Sequence, residues 1–197
     1  MDTTPELSPR AAEIAEHAKA LLAIGGYNGF SYADISERVH IGKASIHHHF
    51  PSKAELVHTV VVIHREQARS GLASLDRQIE DPLARLNAYT GYWAQCIREN
   101  TAPICICAML AAELPAIPSD IAHEVRGYFN DLSGWLASVI EQGAAMGKFQ
   151  LQDEPAVEAH SFMASVHGAM LSARALGNAE TFESITQAAI GRIAVPA

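Results

Sequence analysis

Residues 30–50, "FSYADISERVHIGKASIHHHF", decide how this chain is read. Ser31 with Asp34 three positions later marks a helix start: the hydroxyl can accept from a first-turn amide while the carboxylate suits the positive end of the helix. That helix runs through Ser36 to Arg38 and ends near His40, "HIGK" turns tightly around Gly42, and Lys43 to Phe50 form a further short helix closed by Pro51. Phe30, Ile35, Val39, Ile41, Ile46 and Phe50 can all turn inward as a miniature core. Lys43, Ala44, Ser45, His47, His48 and His49 are left facing outward, a set that is small, polar or cationic and can approach phosphate and base edges. Two short helices joined by a four-residue turn are the arrangement of a helix-turn-helix reader of the major groove.

Working outward, Ser8 and Pro9 supply the N-cap and first position of an earlier helix, with Ile14, Ala18, Leu21 and Leu22 at helical spacing and Gly25-Gly26 as its stop. Ser52 with Glu55 is a capping box that opens a long fourth helix from Lys53 to about Arg77. Breaks at Asp81-Pro82, Thr101 to Pro103, Pro115 to Ser119, Gly147 to Glu154 and Gly177-Asn178 divide the remainder into about five more helices. Alternating strand-like runs are lacking, so the fold class is all-α with about nine helices. We expect a DNA-binding unit over residues 1–52 and a larger helical bundle over 53–197, with the linking helix beginning near Lys53.

The net charge of −8 argues against nucleic acid only until its distribution is considered. Residues 1–69 carry seven Lys or Arg against eight Asp or Glu and seven of the ten histidines, whereas residues 70–197 carry seven against fourteen. An N-terminal unit can thus present a locally basic face to phosphate. No apolar run approaches the ~18 residues of a membrane span and the N-terminus is unlike a signal peptide, so the expected compartment is the cytoplasm and no membrane partner is expected. Cys96, Cys105 and Cys107 are too few and odd in number for a secreted disulfide framework and are expected as reduced thiols.

The run His47-His48-His49 invites a metal reading, but adjacent helical residues point about 100° apart and cannot converge on one ion. Glu37-x-x-His40 and Glu55-x-x-His58 have the spacing of di-iron bundles, which would make the chain an oxidoreductase. The first of these lies on a helix too short to join a bundle, and both pairs are explained as solvated helix faces. No metal, no other cofactor and no catalytic residue is therefore expected. A helical scaffold for protein partners is a third class, separated from the first by the salt dependence of duplex binding.

The stretch from Gly25 to Val57, "GGYNGFSYADISERVHIGKASIHHHFPSKAELV", resembles the signature of the TetR family of transcriptional regulators. The resemblance implies a recognition helix from Lys43 to Phe50, and DNA contact by Ser31, Tyr32, Gly42 and Lys53 as well as by the outward set. It departs from the family pattern where His47 replaces a tyrosine, Gly42 a small polar residue, and His40 the turn glycine. Imidazoles beside DNA phosphate should take up protons, so operator binding should strengthen from about pH 8 to about pH 6.

The C-terminal part is rich in apolar and aromatic residues that can line a mostly apolar effector pocket: Tyr89, Tyr92, Trp93, Met109, Phe129, Trp135, Phe162, Met163 and His167. Segment 104–118, "ICICAMLAAELPAIP", is similar to the N-ethylmaleimide-responsive subgroup of the same family, with Cys105 ahead of Leu110-Ala111-Ala112-Glu113 and Met109 where that group carries a lysine. This implies Cys105 as an effector contact and, as an alternative function, a thiol sensor of electrophiles or oxidants. Ala164, Gly168, Leu171 and Ala175, then Phe182, Ile185, Ala189 and Ile193, lie on the last two helices, where the resemblance places a homodimer interface. The expected function is a ligand-relieved repressor that binds a palindromic operator as a dimer, with the effector, small and apolar or electrophilic, acting by tilting the fourth helix.

Overall fold

A computed structural model describes residues 6–196. Among these, nine helices follow in order: α1 Pro9–Gly25, α2 Tyr32–Val39, α3 Lys43–His49, α4 Lys53–Gln78, α5 Pro82–Arg98, α6 Ile106–Ala111, α7 Ser119–Ala145, α8 Pro155–Leu176 and α9 Glu180–Ile193. The extended pairing among the described residues is a single antiparallel bridge between Phe149 and Ala194. The expected punctuation is realised locally. Ser8 accepts from the Ala11 amide with Pro9 at the start of α1, Asp81 accepts from the Leu83 amide with Pro82 opening α5, and Gly26 closes α1 at a left-handed φ of 70°.

The chain packs as two compact units that do not follow a single cut near residue 53. One comprises the chain up to Ala68 together with Cys105–Tyr128; the other comprises Arg69–Ile104 together with the chain from Phe129 onward. The first unit gathers α1, α2 and α3 with α6 and the adjoining parts of α4 and α7 because each offers an apolar face. Ile14, Leu22, Ile35, Ile46, Leu56, Leu110 and Ile121 are fully buried there, each worth roughly 1.5–3 kcal/mol on the transfer scale. Residues 105–113 join this unit through Glu113, whose carboxylate accepts from the Tyr27 amide at 2.6 Å and the Asn28 amide at 3.4 Å. The positive φ of Gly26 favours glycine, and a side chain there would push the Glu113 carboxylate away from the amides it accepts from.

In the second unit, Leu86 and Trp93 of α5, Leu132, Leu136 and Ile140 of α7, Phe162 and Met170 of α8 and Phe182 and Ile190 of α9 form the core. Arg85, only 8% exposed, ties the α4–α5 turn: its guanidinium donates to the carbonyls of Ile79 and Glu80 and to Gln142. Such a buried cation is tolerable because each of these N–H groups finds an acceptor and Asp76 lies 3.4 Å away.

Candidate nucleic-acid interface

α3 is seven residues long, too short to be stable alone, and is held by what surrounds it. Ile46 is its single fully buried residue, with Phe50 buried just beyond its end and Ile41 half-buried before its start. Gly42, Lys43, Ala44, Ser45, His47 and His48 are exposed, and His49 is half-buried with its ring 5.4 Å from that of His48. The outward set expected from spacing is therefore presented on one short helix. α2 is fixed by a complete capping box. The Ala33 amide donates to the Ser31 hydroxyl at 3.2 Å, and the Ser31 amide and hydroxyl donate to Asp34 at 2.7 and 2.8 Å. Those bonds from Ser31 hold the Asp34 carboxyl below its ordinary value.

Between the two helices, His40 takes the left-handed conformation, φ 55° and ψ 41°, that a glycine would adopt without strain. The turn is secured by Ser36, whose hydroxyl donates to the Ile41 carbonyl at 2.5 Å. His47 Nδ1 lies 3.1 Å from the Pro51 carbonyl oxygen. Since a carbonyl only accepts, Nδ1 carries the proton, and Nε2 of the neutral ring is left as an acceptor.

Two residues in the expected set are turned to other work. Tyr32 is buried, its hydroxyl donating to the Phe50 carbonyl at 2.7 Å, and burial, with the Glu55 carboxylate nearby, pushes its pKa up to about 12. The Lys53 ammonium donates to the Phe30 carbonyl and lies 4.8 and 4.3 Å from the ring centres of Tyr27 and Phe30. Burial lowers the Lys53 pKa, opposed by the carboxylates of Glu113 and Asp34. Tyr32 thereby ties the start of α2 to the residue that ends α3, and Lys53 ties the start of α4 to the loop before α2. Ser31 is exposed at the cap of α2.

With that geometry in place, comparison with known proteins decides the family. Residues 14–60 match the family described as "Bacterial regulatory proteins, tetR family", and residues 82–189 match "Tetracyclin repressor-like, C-terminal domain". The chain belongs to the TetR family. A TetR-family transcriptional regulator from Agrobacterium tumefaciens is 50% identical, the similarity covering 94% of this chain and 98% of that one with a TM-score of 0.92. A TetR regulator from Legionella pneumophila (24% identical, 96% and 100% covered, TM-score 0.84) and reduced NemR from E. coli (20% identical, 95% and 99% covered, TM-score 0.80) share the fold. No curated protein matches the chain. As a TetR-family member it is a DNA-binding transcriptional regulator, and α2–α3 is its helix-turn-helix. No helix among the described residues is long and apolar enough to cross a membrane.

The expected effector residues of this TetR-family chain are divided between the units. Cys105, fully buried, and Met109, half-buried, lie in the first. The second holds Tyr89 with Trp135, ring centres 5.7 Å apart, and Phe129 with His167, 5.1 Å apart. It also holds buried Trp93 and Phe162 and half-buried Met163. Tyr92 is a surface residue, 59% exposed, with its ring 5.4 Å from that of Trp93. Trp135 donates to Asp76 at 3.0 Å, whereas His167 Nε2 is shielded from water with no hydrogen-bond partner. An open groove of about 400 Å³ lies between α5 and α9, polar and crossed by the Arg98–Glu183 ion pair, unlike the apolar pocket expected.

The dimer residues also divide. On α8, Ala164, Gly168, Leu171 and Ala175 are exposed on one face, Leu171 at 53%. On α9, Phe182, Ala189 and Ile193 are buried in the chain's own core and Ile185 is half-buried. Three of the four expected α9 contacts are thus corrected to core positions: α9 has one apolar face, and α5 and α8 already occupy it.

Sequence reading missed His64. Its Nε2 lies 3.7 Å from Cys105 Sγ, and the ligand atoms of His64, Cys105 and Cys107 are all within 4.8 Å of one another. Burial pushes the Cys107 thiol up, with Cys105 adding to the effect and the Arg65 guanidinium opposing it. Neither thiol faces solvent, so no ready nucleophile is presented to a reagent outside.

Proposed function

We propose that this regulator is a homodimeric repressor, without enzymatic activity and working in the cytoplasm, that binds a palindromic operator through α3 and is released by a small effector bound in its C-terminal helices. The observation that carries this reading is the exposed row Gly42 to Ser45 with His47 and His48, on a helix anchored from beneath by Ile46 and Phe50. Lys43 serves phosphate as a point charge, and Ser45 can donate to or accept from a base edge. His47 contributes conditionally. With Nδ1 committed to the Pro51 carbonyl, the neutral ring offers phosphate only a repelling lone pair, while the protonated ring offers a charged donor.

A short recognition helix needs a second half-site, about 34–36 Å away on the same face of the duplex, and hence a second copy of the chain. The exposed apolar stripe of α8 supports pairing through that helix. For the effector, the apolar and aromatic lining of the second unit and the unpartnered Nε2 of His167 favour a largely apolar molecule carrying one hydrogen-bonding group.

The test is operator affinity, measured on a duplex obtained by selection, for wild type, Lys43→Ala and His47→Ala at constant ionic strength. Lys43→Ala should weaken binding and reduce the salt slope by about one unit. Wild type should bind more tightly at pH 6 than at pH 8, and His47→Ala should lose most of that difference. Undiminished binding by both variants would remove α3 as the reading helix.

A further inference from the structure

We propose that His64, Cys105 and Cys107 form a binding site for a thiophilic metal ion of low coordination number, Cu(I). The three side chains come from two places in the sequence and converge in one unit: His64 from the middle of α4, and Cys105 and Cys107 from the N-cap and first turn of α6. Each offers one ligand atom, and soft sulfur with imidazole nitrogen is the donor set that selects Cu(I) or zinc over oxygen-loving cations.

The distances suit a bound ion of this size. With metal–sulfur and metal–nitrogen bonds of about 2.3 and 2.0 Å, a trigonal ion would hold sulfur and nitrogen about 3.7 Å apart and a tetrahedral one about 3.5 Å. Cys105 Sγ and His64 Nε2 stand 3.7 Å apart, and the 4.8 Å limit on all three pairs leaves at most a small side-chain adjustment for the third ligand. Cys105 and Cys107 are both fully buried, which suits an ion held by protein donors alone better than a zinc ion that keeps a water beside three protein ligands.

Surrounding residues hold the donors in place. The His64 ring stacks on Tyr128, centres 5.4 Å apart and planes at 26°, which fixes the imidazole. Cys105 makes no capping hydrogen bond to α6 through its side chain and instead faces His64. Arg65, adjacent to His64, donates to Glu124 at 3.0 Å and lies across Gly127 of α7, where a Cβ would come within 2.2 Å of its guanidinium. Arg65 would also balance the single negative charge that Cu(I) with two thiolates would carry.

Binding displaces two thiol protons and consumes no oxidant or reductant, provided the ion is supplied as Cu(I). Occupancy would fix the start of α6 against α4. Two residues beyond α6, Glu113 holds the loop that follows α1, so the ion would stiffen the same unit that carries the recognition helix.

The test uses the full-length reduced protein under anaerobic conditions, titrated with Cu(I) held on a chromophoric chelator. Wild type should withdraw one Cu(I) per chain, and X-ray absorption should show two sulfur ligands and one nitrogen. Cys105→Ser and Cys107→Ser should each retain the ion at least tenfold less well, while Cys96→Ser, which alters the buried thiol of the other unit, should match wild type. No withdrawal by wild type, equal retention by the Cys105→Ser/Cys107→Ser double variant, or tighter binding of Zn(II) than of Cu(I) would overturn the site. If a variant fails to give the wild-type circular dichroism spectrum, the wild-type ligand shell decides, and a shell lacking nitrogen overturns the assignment. Because metal rather than DNA is measured, a negative result leaves the regulator reading untouched.

Discussion

α3 and α8 both turn a row of residues to solvent, yet the two rows carry opposite information. α3 buries one residue, Ile46, and exposes Lys43, Ser45, His47 and His48, groups that water solvates willingly. α8 buries six, from Ala159 to Ala173, and still exposes Leu171 and the small residues around it. Polar exposure costs nothing, so the surface of α3 acquires meaning only from the helix-turn-helix that presents it. Apolar exposure costs about 25 cal/mol per Å² left wet, so covering the stripe on α8 with a second copy, as proposed above, would be favourable.

The comparison breaks most easily at the residues beneath and upon these rows. Ile46→Ala should cost about 2–5 kcal/mol of unfolding free energy, read by urea denaturation, because Ile46 is the one buried residue within α3 itself. Leu171→Arg should leave the thermal unfolding of dilute protein within a few degrees of wild type but shift sedimentation from dimer to monomer. An unchanged dimer would remove α8 from the interface.

A smaller effect tests the cap of the reading unit. The Asp34 carboxyl is held below its ordinary 3.8 by hydrogen bonds from Ser31, so its contribution to stability is fully present above about pH 4 and is lost as pH falls through the lowered value. Asp34→Asn should therefore be less stable than wild type at pH 7, and the two acid-unfolding curves should converge toward pH 2. Parallel curves would mean the capping box contributes nothing. The smallest change is His40→Gly. Relief of the left-handed backbone, roughly 1–2 kcal/mol, is largely offset by the entropy glycine adds to the unfolded chain, roughly 0.5–1 kcal/mol, leaving a net gain of about 0.5 kcal/mol in chemical denaturation.

What the sequence made legible was local. Ser8-Pro9, Ser31 with Asp34, Gly26 and Pro82 each act within a turn of themselves, and each sits where its chemistry places it. The outward row of α3 was legible for the same reason, being fixed by helical periodicity over seven residues. Tyr32 and Lys53 were not, because their partners are the backbone carbonyls of Phe50 and Phe30, 18 and 23 residues away. For α9, periodicity identified an apolar face correctly but could not say whether its own chain or a second copy would cover it. His64 carried no signal, since 41 residues separate it from Cys105 and only packing of α4 against α6 unites them.

The carboxylate of Glu113 also bears on how the molecule is made. The loop after α1 takes its hydrogen bonds from a residue 86 positions downstream, so a nascent chain that has exposed all of α1 to α3 still lacks the group that ties off α1. A fragment ending at residue 60, where the first family match stops, would leave the Tyr27 amide without this acceptor and α1 without α6. The contacts of the DNA-reading unit are thus complete only once the chain extends past Glu113.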